Sequence, residues 1–308
     1  MRVAALDLGT NTTRLLVADV ADGGVKEVER RLAITRLGEG VDERRRLLPV
    51  PIARVRNTLV DYRRAAEGLG AERSLLVATS AVRDAENGEA FLGEIEWSYG
   101  FVTRLLTGDE EASLVRRGVS TGRELGPRDL IVDVGGGSTE LISDGWHGSL
   151  DIGSVRMTER FLHSDPPTPE ELDACATAVQ IALPELDVET AVGVAGTVTT
   201  LAALDLGLEE YDPERVHGHR VPARSVERQL DRLAALPLAE RRLVAGLEPE
   251  RAPVIVAGAV IVRQVLRRYG LDAIEASERD ILDGAALEAA ELPEPEEGAA
   301  PPGAYTCC

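Results

Sequence analysis

Asp7-Leu8-Gly9-Thr10-Asn11-Thr12-Thr13-Arg14-Leu15-Leu16 aligns without a gap on Asp133-Val134-Gly135-Gly136-Gly137-Ser138-Thr139-Glu140-Leu141-Ile142. Aspartate, glycine, threonine and leucine recur at matched places. Each copy follows a short apolar run, Arg2 to Asp7 or Leu130 to Val134, and leads into another, so each predicts strand, tight polar turn, strand. Two copies of one supersecondary unit imply two domains of one design. The chain's 308 residues are enough for two. Gly126-Pro127, just ahead of the second copy, is the natural boundary. The expected domains are 1–126 and 127–292.

The remaining pattern alternates strands and helices. Pro51 opens a helix with Val55, Leu59, Tyr62 and Leu69 at helical spacing. Leu75 to Ala78 reads as a buried strand. Thr107 or Asp109 caps a helix through Ala112, Val115 and Val119. Thr168-Pro169-Glu170-Glu171 is a capping box that starts a helix running to about Leu183. Ala191 to Ala195 is a strand, Gly196-Thr197 a turn, and a helix begins near Val198. Further helices are expected over 252–269 and from about Arg279 to Glu291. The Pro-, Glu- and Ala-rich segment 293–308 predicts a disordered tail.

Composition removes several classes. A net charge of −19 argues against a nonspecific nucleic-acid binder. The one lysine, Lys26, lies outside any Gly-Lys-Ser/Thr setting, which excludes a P-loop. Cys175, Cys307 and Cys308 form neither a disulfide framework nor a zinc pattern. No long apolar run or leader pattern appears, so the expectation is a cytoplasmic protein with no membrane contact. Arg44-Arg45-Arg46 reads as a solvated loop.

A glycine hairpin leaves backbone N–H groups free to face an anion. An aspartate at a buried strand end needs a counter-charge, and a divalent cation supplies one. Two such hairpins across a cleft would clamp a phosphate and its Mg²⁺. The motif differs from GxGxxG, which needs a helix directly after its glycines.

Paired Asp-x-Gly hairpins resemble the actin-like, sugar-kinase and Hsp70 ATPase superfamily. The finer resemblance is to the exopolyphosphatase/guanosine pentaphosphate phosphatase (Ppx/GppA) family. It is carried by the two hairpins, Ala78-Thr79-Ser80-Ala81-Val82-Arg83-Asp84, Thr107-Gly108-Asp109-Glu110-Glu111-Ala112, Asp151-Ile152-Gly153-Ser154-Val155-Arg156 and Ala195-Gly196-Thr197-Val198-Thr199-Thr200. The resemblance implies an α/β fold of two ribonuclease-H-like (actin-like ATPase) domains with an interdomain cleft. It implies a homodimer that removes the terminal phosphate of inorganic polyphosphate with Mg²⁺.

By the same resemblance, Glu111 orients and deprotonates the attacking water, with Glu110 as fallback. Asp133 and Glu140, with Asp7, hold the metal. Asn11, Thr12, Arg14, Arg83, Gly135, Gly136, Gly137, Ser138, Thr139, Gly196 and Thr197 bind phosphate, and Arg156 is a weaker candidate. Arginine forks suit phosphate oxygens. Guanosine pentaphosphate 5′-phosphohydrolysis is the alternative activity. A noncatalytic phosphate sensor or ATP-binding actin-like protein is another; Val256-Ala257-Gly258-Ala259, with a single glycine, counts against a tightly held adenosine. At −19 the whole chain repels polyphosphate at long range, so a local basic funnel is required.

Overall fold

The computed structural model describes residues 1–293, and the expected disordered tail, with Cys307 and Cys308, lies outside them beyond Pro293. The described chain divides into two units, one of 1–123 with the segment from Arg279 onward, the other Glu124–Glu278. The first contains β1 (Arg2–Leu8), β2 (Thr12–Ala21), β3 (Gly24–Ile34), α1 (Val41–Arg44), α2 (Pro49–Gly68), β4 (Arg73–Ala78), α3 (Ser80–Arg83), α4 (Gly88–Tyr99), β5 (Val102–Leu105) and α5 (Gly108–Ser120). The second contains β6 (Asp129–Val134), β7 (Thr139–Ser143), β8 (Trp146–Leu150), α6 (Ser154–Phe161), α7 (Pro169–Ala182), β9 (Thr190–Val194), α8 (Ala195–Asp205), α9 (Pro213–Val216), β10 (Arg220–Pro222), α10 (Ala223–Ala235), α11 (Leu238–Arg241), α12 (Ile255–Tyr269) and β11 (Ala273–Ala276). The last helix, α13 (Ile281–Glu291), returns to the first unit.

The sheets carry the repeat. Their strand orders are β3-β2-β1-β4-β5 and β10-β11-β9-β6-β7-β8. Read from β8 inward, the second repeats the first and adds β10 at its far edge. In each, the first strand of the hairpin pairs antiparallel with the second and, on its other side, in parallel with β4 or β9. This is the ribonuclease-H-like order, twice. The match extends to register: Asp7 faces Arg14 across the first hairpin as Asp133 faces Glu140 across the second.

In the first unit, Ala4, Leu6 and Leu8 of β1 point to one face, where they cluster with Val55, Leu59 and Tyr62 of α2 and Phe91, Leu92 and Ile95 of α4. Strand alternation sends Asp7 to the other face, against which α13 packs, with α5 packed on α13. These two helices meet at glycines. A Cβ on Gly118 would lie 1.8 Å from the Asp280 carbonyl oxygen, and one on Gly284 would lie 2.0 Å from that of Leu114. Only hydrogen at both positions lets the backbones approach this closely.

The structure corrects the expected domain limits. Cutting once at Gly126 puts α13 in the second domain, yet its buried Ile281, Leu282, Ala285, Ala286 and Ala289 belong to an element packed on β1, β2, β4 and α5. Burying that apolar surface is what recruits it to the first sheet. The charged strand β3 and the short β8 also lie outside the expected elements. α8 starts three residues before Val198, and α12 starts at Ile255 because residues 251–254 form turns. Among the described residues no helix is long and apolar enough to cross a membrane.

Tyr62 ties α2 to the first hairpin. Its hydroxyl donates to the Thr13 carbonyl at 3.0 Å, and burial pushes its pKa up to about 12. Tyr62→Phe is expected to cost about 0.5–1.5 kcal/mol, measured by urea unfolding. An unchanged midpoint would show that water replaces the bond.

Candidate active site

The two hairpins turn through the same hydrogen bond. Gly9 N–H donates to the Thr12 carbonyl at 2.9 Å, and Gly135 N–H to that of Ser138 at 3.1 Å. In each, the next two carbonyls are taken by a neighbouring segment. Thr10 accepts from Gly38 N–H at 2.8 Å, and Asn11 accepts from Thr35 and Arg36 N–H at 3.1 and 2.9 Å. Gly136 accepts from Val155 and Arg156 N–H at 2.8 and 3.1 Å, and Gly137 accepts from Arg156 Nε at 2.6 Å. The N–H groups of Thr10, Asn11, Gly136 and Gly137 donate to no backbone carbonyl among the described residues. Paired amides of this kind are able to receive an anion.

The supports approach closely. A Cβ on Gly38 would fall 2.2 Å from Thr10 Cγ2, and one on Gly153 would fall 2.3 Å from the Gly136 carbonyl. Gly153 caps α6 with ordinary extended backbone, so space alone demands glycine there. Thr10 also bonds through its hydroxyl to Ser80 at 2.9 Å, which fixes the turn after β4 against the hairpin.

In the first unit, α5 separates the two expected acids. Thr107 and Glu110 form its capping box. Glu110 Oε2 accepts from Thr107 N–H and Oγ1 at 2.8 and 2.9 Å, and its Oε1 accepts from Arg104 at 2.8 Å. Those bonds, the Thr107 amide first, hold the Glu110 carboxyl below its usual range. Glu110 is thus occupied with starting the helix. Glu111, one position on, is 6% exposed. Its Oε2 accepts from Arg83 Nη1 at 3.2 Å, and that nitrogen also donates to the Leu106 carbonyl at 2.7 Å. Arg83 Nε and Nη2 have no partner among the described residues. A buried carboxylate therefore lies beside a cation with donors to spare, as general-base chemistry on an anionic substrate requires.

Asp7 and Arg14 form a buried pair. Asp7 Oδ2 accepts from Arg14 Nε and Nη2 at 2.9 and 2.7 Å, and Arg14 Nη1 donates to Asp280. Burial raises the Asp7 pKa, with Arg14 acting against it. The expected metal role of Asp7 and phosphate role of Arg14 meet here as an ion pair, because the hairpin register sets the two residues opposite each other.

In the second unit, Asp133 and Glu140 are cross-strand partners on one face, both buried. Ser149 Oγ donates to Glu140 Oε1 at 2.6 Å. Mg²⁺ is commonly carried by one or two carboxylates, with water and phosphate oxygens completing its shell. This pair fits that demand. No group of three or more His, Cys, Asp or Glu able to hold a metal occurs among the described residues; Asp7, in the first unit, is paired with Arg14. The Thr139 hydroxyl is spent on the Ile152 carbonyl at 2.6 Å, and Arg156 supports the loop through Gly137.

Gly196 and Thr197 open α8, whose first N–H groups have no intrahelical acceptor. Ala195 ahead of them has φ +63°, a left-handed conformation that costs a non-glycine residue roughly 1–2 kcal/mol. The Arg251 guanidinium occupies the space a side chain at 196 would fill, with Nη1 1.8 Å from the position of a Cβ. Sequence reasoning missed Arg251, since nothing local links it to a turn over fifty residues earlier. Gly258 serves packing: a Cβ there would meet Thr197 Cγ2 at 2.7 Å. Arg44, Arg45 and Arg46 are exposed.

The geometry agrees with known proteins. The chain is 42% identical to exopolyphosphatase 2 of Mycobacterium tuberculosis, across 94% of this chain and 98% of that protein. The crystal structure of an exopolyphosphatase-like protein superposes with a TM-score of 0.88 at 35% identity, covering 94% and 98% of the two chains. The Ppx/GppA family member of Aquifex aeolicus gives 0.78 at 32% identity, covering 94% and 97%. Residues 16–291 match the model of the Ppx/GppA phosphatase family. With the repeated hairpins, buried Glu111 and long-range similarity in agreement, the chain belongs to that family.

Proposed function

We propose that this chain is an exopolyphosphatase, a hydrolase that removes the terminal phosphate of inorganic polyphosphate with Mg²⁺. The observation that carries this reading is the buried Glu111 carboxylate beside Arg83, in a chain whose two hairpins each leave a pair of backbone amides free of carbonyl partners. The name borne by the Mycobacterium tuberculosis relative supports it. The family resemblance also has the chain act as a cytoplasmic homodimer.

In the first unit, Glu111 holds a water and takes its proton as oxygen attacks the terminal phosphorus; the bond to the bridging oxygen breaks, its electron pair leaving with the shortened polyphosphate, while Arg83 meets the negative charge that spreads over the phosphoryl oxygens. The amides of Thr10 and Asn11 receive phosphate oxygens without reorganising. In the second unit, the amides of Gly136 and Gly137, the first turn of α8 and Arg251 do the same. Asp133 and Glu140 would hold the magnesium, which supplies charge neutralisation when bound. The two residues stand opposite each other on the strands that this hairpin turn joins.

Phosphate release with Mg²⁺ from short and long polyphosphate, guanosine pentaphosphate and ATP tests this. Release from polyphosphate is the expected result. Release from the guanosine substrate alone would move the activity to alarmone turnover, and no release from any would leave a phosphate sensor. Chelation by EDTA is expected to abolish release and added Mg²⁺ to restore it. In Asp133→Asn the Mg²⁺ needed for half-maximal rate should rise about tenfold or more. An unchanged requirement would remove Asp133 from the metal.

A further inference from the structure

The hairpins part company at one matched position. Glu140 of the second faces Asp133, whereas Arg14 of the first faces Asp7. Arg14 is also gripped from α13, outside the repeat. Asp280 caps that helix, its Oδ1 accepting from Leu282 N–H at 2.9 Å, while its Oδ2 accepts from Arg14 Nη1. Beyond it the charges alternate. Arg30 Nη1 lies 3.9 Å from Asp280 Oδ1, Arg30 Nη2 bonds Asp283 at 3.1 Å, and Arg279 bonds Asp283 at 2.6 Å.

Three of the five N–H donors of Arg14 are thus taken, by carboxylates on two sides. Burial opposes ionisation of Asp280, yet Arg14 and Arg30 outweigh it and hold its pKa below the usual value. Asp280 therefore stays charged, and the single positive charge of Arg14 is shared between two carboxyl groups.

We propose that the two remaining donors of Arg14, on the hairpin whose Thr10 and Asn11 amides lack carbonyl partners among the described residues, meet phosphate, and that Asp280 is the positioning residue that fixes which donors remain and offsets the charge the phosphate meets. Phosphate binding at Arg14 is weakened to the level at which product can leave. Only the identity of the ligand rests on the hydrolase reading above.

Calorimetric titration of the full chain with inorganic phosphate tests this directly. Asp280→Asn keeps the Leu282 acceptor and removes the charge, and Asp280→Ser, a favoured cap residue, is a second route. Both are expected to tighten phosphate about tenfold, the scale of one partly screened charge at close range. In turnover, KM should fall by a similar factor with kcat reduced as release slows. Asp283→Asn disturbs the same helix and loosens Arg30 and Arg279 without touching Arg14, and should leave phosphate affinity within about twofold. If both changes at 280 leave phosphate binding equal or weaker, Asp280 only anchors α13 and the inference falls. If the wild-type chain releases nothing from polyphosphate while Asp280→Asn still tightens phosphate, the hydrolase reading fails and the role of Asp280 stands.

Discussion

Replacing Glu111 by glutamine is expected to lower kcat for phosphate release by about 10²- to 10⁴-fold, the usual worth of a general base. Glutamine fills the same space and can still accept from Arg83, so unfolding should move by less than about 1 kcal/mol. Its neighbour supplies the contrast. Glu110→Ala removes the acceptor from the Thr107 capping box and from Arg104. It should cost about 0.3–1.5 kcal/mol of stability with a near-normal rate. Steady-state kinetics and thermal melts on both variants decide the matter. If Glu110→Ala proves the slow enzyme and Glu111→Gln the unstable one, the two assignments are reversed.

Gly153→Ala carries the second large effect. The added methyl would stand 2.3 Å from the backbone of Gly136, and neither rigid partner can turn away as a flexible side chain would. Overpacking of this kind costs about 1–3 kcal/mol. The rate should suffer more. The segment that moves holds the carbonyls of Gly135, Gly136 and Gly137 and so aims the amides behind them, and a displacement of about 1 Å in such a group costs on the order of 10²-fold. Gly93→Ala is the control, since nothing lies within 4 Å of its Cβ in α4. It should stabilise by about 0.5–1 kcal/mol and leave turnover alone. A Gly153→Ala enzyme with wild-type kcat/KM would show that the Gly135–Thr139 turn tolerates the shift.

The hairpins were legible because their information is local. A glycine turn between two apolar runs can be read from ten residues, and its second copy made chance an inadequate explanation. Glu111 was legible only through resemblance: sequence spacing put Glu110 and Glu111 alike in a first helical turn, and the structure separates them by giving Glu110 the cap. The strand β3 was hidden by its charges. Its run Gly24–Ile34 holds Lys26, Glu27, Glu29, Arg30 and Arg31, and most of them are exposed on a sheet edge that pairs with one neighbour only. Charge on an edge strand also guards against pairing with another chain. Arg251 and Asp280 escaped for another reason. Each meets its partner across a long stretch of sequence, Arg251 at Gly196 and Asp280 at Arg14, and no periodicity encodes such a meeting. The placement of α13 failed in the same way, since its amphipathic pattern says that it is buried but not on which sheet.

That placement also sets the order in which the protein can complete itself during synthesis. The first 123 residues leave the ribosome with one face of their sheet open, because the helix that covers it begins only at Ile281. At about 5–20 residues per second, the intervening unit occupies the ribosome for on the order of ten seconds. Throughout that time Val3, Ala5, Leu75 and Val77, fully buried in the finished protein, lack part of their cover. The second unit is contiguous and can close as soon as it emerges. The part of the chain made first is therefore finished last, and its final contacts are of high sequence separation, the kind that form slowly.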